Sequence, residues 1–165
     1  MTDGRCILVE GPADRLLISM MGFERPFRVP GGIGGVAKAM KNSYKNRKAI
    51  GVVDNDKAKH PKYFDDFKTE ERIGNHFILK YLPNTKHYLI LVNPVFEKCI
   101  FNIAEKLEVN PEKYGFKSLK QFKNATKDEN VHKNQNVKQF LNTLIQKKDS
   151  PLKKVKTWIV EKLNE

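Results

Sequence analysis

Cysteine is scarce in this 165-residue sequence: there are two, Cys6 and Cys99, each inside an apolar segment. Two cysteines build neither a four-thiolate zinc site nor a disulfide framework, so both are read as small buried hydrophobes in a reducing compartment. Long hydrophobic runs are missing too. No segment approaches the roughly 20 apolar residues of a membrane span, and Cys6 to Val9 gives way at once to Glu10, which argues against a secretory signal. His60, His76, His87 and His132 show no HxxxH spacing and no adjacent partner for a nucleophilic triad. A P-loop of the form GxxxxGK(S/T) is absent, as are internal repeats and low-complexity linkers. These absences lead us to expect a soluble, cytoplasmic protein with no membrane partner and no zinc chemistry.

Basic charge is abundant. The chain has 31 Lys and Arg against 19 Asp and Glu, a formal net charge of +12, and a pI of about 9.7. Such an excess favours a polyanionic partner such as DNA or RNA. It is not gathered into a tail: Met1 to Glu97 holds 16 basic and 11 acidic residues, and Lys98 to Glu165 holds 15 and 8. Any electrostatic footprint therefore belongs to the folded surface.

The most informative stretch is Ala49 to Asp56, AIGVVDND, an apolar run that ends in two aspartates one residue apart. Its length and composition suit a strand buried on both faces, as in a parallel sheet flanked by helices. Asp54 and Asp56 then lie at the carboxyl edge of the sheet, where open α/β folds bind ligands. Cys6 to Val9 is a second such run and ends in Glu10. Two parallel strands ending in acids bring three carboxylates to one edge, where they repel one another unless a cation lies between them.

Around these strands the sequence predicts further elements. Pro12 opens a helix that Gly22 stops, with Leu16, Leu17, Met20 and Met21 at helical spacing. Asp14 in its first turn has two readings, an acid complementing the helix dipole or a further metal ligand. Phe27 to Pro30 is a short strand candidate. Gly31 to Gly35 reads as a flexible turn before a basic helix from Val36 to about Lys48, suited to a simple strand-to-helix turn or to phosphate binding. Gly32, Gly34 and Ala37 also match G-x-G-x-x-A, with Asp54 following 20 residues after Gly34, as in a dinucleotide-binding fingerprint. That rival reading needs a buried strand just before the glycines and leaves Glu10 and Asp56 without a role.

Lys57 to Arg72 reads as a loop or irregular helix anchored by Phe64 and Phe67. Phe77 to Leu82 and Tyr88 to Val92 are strand candidates joined by a Pro83-Asn84 turn. Asn93 and Pro94 then suit the cap and first residue of a helix reaching about Glu108. Glu97 falls in its first turn and reaches the acidic edge only if the preceding strand is parallel to the first two; otherwise it is an ordinary first-turn acid. Helices follow at Ser118 to about Ala125, Val137 to Lys147, and from Ser150-Pro151 onward. Lys127 to Gln135 is polar and expected to be exposed. The organisation expected is an α/β core over residues 1–110 and a helical C-terminal extension over 111–165.

Oxygen-only ligands without clustered His or Cys select magnesium or manganese. A carboxylate-bound metal can activate water and stabilise charge on a phosphodiester. ILVEGPAD at Ile7 to Asp14, the glycine turn with its helix, and GVVDND at Gly51 to Asp56 resemble the ordered motifs of the topoisomerase-primase (TOPRIM) fold. The similarity is to short stand-alone bacterial TOPRIM-like proteins and to the TOPRIM part of overcoming-lysogenization-defect nucleases. It implies a mostly parallel sheet flanked by helices and a metal site at Glu10, Asp14, Asp54 and Asp56. By order alone it adds Glu97 as a ligand and Lys127 as a catalytic lysine. It also implies a magnesium-dependent nuclease working with a separate ATPase chain. The sequence departs from the pattern at Lys57-Ala58-Lys59, where many members carry a glycine. Two alternatives remain open, a nucleic-acid-binding or adaptor module without turnover and the dinucleotide-binding protein.

Overall fold

The computed structural model describes residues 2–165 and has mixed α/β architecture built on one six-stranded, mostly parallel sheet. The strands and helices are β1 (Thr2–Asp3), β2 (Ile7–Val9), α1 (Pro12–Met20), β3 (Phe23–Glu24), β4 (Phe27–Arg28), α2 (Gly32–Lys41), β5 (Ala49–Asp54), β6 (Lys68–Ile73), β7 (Phe77–Tyr81), β8 (His87–Val92), α3 (Phe96–Lys106), α4 (Leu119–Thr126), α5 (Gln135–Gln146) and α6 (Pro151–Asn164). The main sheet runs β4-β2-β5-β8-β7-β6, and β1 and β3 form a separate parallel pair. Strands β4, β2, β5 and β8 are mutually parallel, whereas β7 and β6 return antiparallel as a hairpin.

The apolar run at Ala49 is the fully covered central strand that its composition predicts. Ile50 and Val52 pack on the α1 and α3 side with Ile7, Val9, Ile90 and Val92. Ala49 and Val53 face the other way, with Leu8, Leu89 and Leu91 against Val36 and Met40 of α2. Alternation along an extended chain divides the two faces, and each fully buried Leu, Ile or Val contributes about 1.5–3 kcal/mol. The core on the α1 side continues without a break into the C-terminal helices through Phe122, Phe140, Leu144, Val155 and Ile159. The sole tryptophan, Trp158 on α6, donates from Nε1 to Glu71 Oε2 on β6 at 2.5 Å. Among the described residues no helix is long and apolar enough to cross a membrane.

Several stretches differ from the sequence expectation. Helix α2 begins at Gly32 and ends at Lys41 instead of running from Val36 to Lys48, so most of the glycine stretch belongs to its first turn. Lys57 to Arg72 contains short 3-10 turns at Lys57–Lys59 and Lys62–Phe64 and then the unexpected strand β6. That strand reads KTEERI and is exposed except at Ile73, so no apolar alternation announces it; hairpin pairing with β7 makes it. Helix α3 starts at Phe96 with Val95 as its cap, not at Pro94, and the Asn93–Pro94 peptide is cis. Within the polar Lys127 to Gln135 stretch, Val131 is buried to 1% exposure and pins the segment to the core.

Two glycines in the first turn of α2 have opposite packing. A Cβ on Gly35 would fall 1.9 Å from the Pro30 carbonyl oxygen, whereas one on Gly34 meets nothing within 4 Å. Chemical denaturation is expected to show Gly35→Ala losing at least the roughly 1–3 kcal/mol typical of overpacking. Gly34→Ala is expected to gain about 0.5–1 kcal/mol from helix propensity.

Candidate functional site

Parallel pairing of β2 with β5 and of β5 with β8 brings the carboxyl ends of three strands to one sheet edge. Glu10 follows β2, Asp54 ends β5, and α3 starts four residues after β8, so Glu97 in its first turn arrives at the same edge. The condition set by the sequence for Glu97 is met, because β8 is parallel to β5. Asp14 descends from the first turn of α1. These four carboxylates line one cleft of about 300 Å³ together with Arg28, Gly32, Phe96, Thr126, Lys127 and Glu129.

Backbone groups fix two of the acids. The Asp54 N–H donates to Glu10 Oε1 at 3.2 Å, tying the ends of β2 and β5. Asp54 Oδ1 accepts from the Phe96 N–H at 2.9 Å, supplying from a distant strand the cap that α3 lacks locally. Glu97 Oε1 accepts from the buried Thr126 hydroxyl at 2.9 Å, which joins α3 to α4 at the rim. Lys127, next in the chain, caps the end of α4 and faces the cleft.

The carboxyls are held in an environment that disfavours their charge. Burial, followed by the Glu10 carboxylate, pushes Asp54 up to about 8. Asp14, only 6% exposed, is raised well above the ordinary range by burial and then by Asp54, Glu10 and Glu97. Burial also raises Glu10, partly offset by the hydrogen bond from the Asp54 backbone.

Asp56 is placed apart from this group. Its Oδ1 accepts from the Ala58 N–H at 3.1 Å and caps the Lys57–Lys59 turn, outside the residues that line the cleft. Its charge still reaches Glu10 as a minor unfavourable influence. Arg28, Thr126 and Glu129 line the site without any signal in the sequence: each is a lone polar residue, and only the packing of β4 and of the α4–α5 segment brings them in.

Donor chemistry in the cleft suits a hard divalent cation, since the converging side chains offer carboxylate oxygens and neither His nor Cys lines the space. Among the described residues, however, no group of three or more His, Cys, Asp or Glu side chains is arranged to hold a metal ion as it stands. A metal held there would require loss of the protons and inward movement of the side chains. The features that a dinucleotide fingerprint requires are not met. The strand before the glycines, β4, has two residues at the sheet edge with Phe27 half exposed, and Asp54 is engaged with α3. His87 is accounted for structurally: its Nε2 donates to the Tyr44 carbonyl and its Nδ1 accepts from the Tyr63 hydroxyl, each at 2.7 Å. In comparisons with known proteins, no protein-family model, no curated protein and no solved structure matches the chain.

Folded Asp54 keeps its proton to about pH 8, whereas the ordinary carboxyl releases it near 3.8. The native state thus binds more protons than the unfolded chain across that interval, and metal-free stability falls as pH rises through it. Thermal melts from about pH 5 to about pH 8 are expected to show wild type losing at least about 3 °C more than Asp54→Asn, whose neutral amide keeps an acceptor for Phe96.

Proposed function

We propose that this chain is a TOPRIM-like, magnesium- or manganese-dependent nuclease acting on phosphodiester bonds of DNA or RNA. The observation that carries the reading is the convergence of Glu10, Asp14, Asp54 and Glu97 on one cleft at the carboxyl edge of a mostly parallel sheet. Their order along the chain is that of the motifs which resemble the TOPRIM pattern.

In this reading Glu10, Asp14, Asp54 and Glu97 hold the metal, and Asp56 at the rim contributes charge and shapes the Lys57–Lys59 turn. When bound, the ion supplies Lewis-acid stabilisation and an activated water. The chain's own groups do the rest. Lys127, which lines the same cleft, is suited to neutralise charge on the scissile phosphate and to steady the strand. Arg28 holds a neighbouring phosphate. Burial of Asp14 and Asp54 keeps bulk water from the innermost part of the site. Lysines over the remaining surface bind the backbone without regard to sequence. A separate ATPase chain would supply any energy-driven step, since the sequence has no P-loop.

A second reading has one observation in its favour: the acids are not arranged as a ready-made metal site. On that view the protein is a nucleic-acid-binding or adaptor module that has lost turnover. Incubation of plasmid, single-stranded DNA and RNA with magnesium or manganese separates the two. The nuclease reading expects cleavage, and Asp54→Asn or Glu10→Gln should reduce it by more than about 100-fold, beyond the 10- to 100-fold typical of groups that only orient a ligand. Asp56→Asn is expected to lose about 10-fold, as an orienting group would. Salt-sensitive binding with no cleavage of any substrate favours the module.

A further inference from the structure

Beside the carboxylate cleft lies a second cavity of about 350 Å³, lined by Pro12, Arg15, Leu16, Ser19, Arg28, Glu129 and His132. It contains none of the clustered acids. Pro12, Arg28 and Glu129 line both spaces, so the two cavities adjoin along one wall. That wall is closed by an ion pair between Arg28 on β4 and Glu129, 101 residues later in the α4–α5 segment.

The pair is made of side chains 36% and 67% exposed. Exposed pairs of this kind contribute about 0–1 kcal/mol, so a phosphate can take the place of the Glu129 carboxylate at little cost. A guanidinium binds carboxylate and phosphate in the same forked geometry. The exposed Arg15 of α1 lines the second cavity with Arg28 and has no carboxylate within ion-pair distance among the described residues. The segment bearing Glu129 and His132 is fixed beside α1 by the buried Val131, so Glu129 is presented to Arg28 by a held backbone, not by a loose arm.

We propose that the second cavity is a phosphate subsite for the flank of a nucleic-acid strand whose neighbouring phosphodiester occupies the carboxylate cleft, and that Glu129 is its internal placeholder. Arg28 and Arg15 each hold a phosphate there, with His132 at the rim. Release of Glu129 joins the two cavities into one channel. The strand then runs from a cationic end to an acidic, metal-dependent end. This assignment deepens the nuclease reading and rests on it for the occupant of the acidic end, while the subsite itself stands on the cavity and the ion pair.

The test is fluorescence anisotropy of a labelled single-stranded oligonucleotide in chelator, where cleavage does not intervene. Glu129→Gln removes the competitor and is expected to tighten binding about two- to fivefold, the ratio that corresponds to such a pair. Arg28→Gln and Arg15→Gln are expected to weaken it, and the double variant to reduce the slope of log K against log salt by about 1.4, as two lost single-strand phosphate contacts require. If the pair merely braces the fold, Glu129→Gln and Arg28→Gln change binding in the same direction, and the subsite is overturned. Unchanged affinity and slope in all three variants overturn it too. The outcome is independent of turnover. Opposite effects of Glu129→Gln and Arg28→Gln with no cleavage by wild type in any metal sink the enzyme and keep the subsite, whereas cleavage with unaltered binding sinks the subsite alone.

Discussion

The structure turns on one constraint: acids that repel one another are buried together at the ends of adjacent strands. Asp54 is the joint. Its backbone N–H holds Glu10 and its carboxyl holds the first turn of α3, so one residue ties β2, β5 and α3 into a single edge. That edge carries three further acids from separate elements, and burial raises the cost of ionising every inner member. A protein gains no stability from such a cluster without protons or a cation. Its presence at the position where α/β sheets bind ligands is a mark of function more than of folding.

Much of the arrangement was legible from the residues. The strand at Ala49 to Asp54 announced itself because a both-faces-buried strand is apolar throughout, and the helices at Pro12 and Pro151 because proline and their apolar spacing mark them. The N-caps at Ser118 and Ser150 of the later helices follow the same local chemistry. What escaped was set by distant partners. Strand β6 exists because β7 pairs with it, and α3 begins two residues after Pro94 with Asp54 supplying an acceptor that no neighbour in sequence provides. In the cleft, Glu10, Asp14 and Asp54 could be located from strand ends and helix turns, and Glu97 conditionally on strand direction. Asp56 stands two residues after Asp54, a spacing that would share a face in a continuing strand, but β5 ends at Asp54 and Asp56 caps the turn that follows, so its carboxyl serves that local turn.

The cationic side of the site follows another logic. Net charge alone locates nothing, because the 31 basic residues are spread along the whole chain. Packing selects among them: β4, only two residues long, carries Arg28 to the cleft, and the end of α4 carries Lys127 to the same cleft. Acid and base thereby line one cleft, an arrangement that suits a partner bearing repeated negative charge and a divalent counter-ion.

Trp158 lends the molecule a convenience of its own. The only indole in the chain joins the last helix to the outermost strand of the hairpin through Glu71, far along the sheet order from β2. Intrinsic emission therefore watches the seam between the C-terminal helix and the hairpin, so loosening of that seam leaves an optical signature distinct from events among the carboxylates.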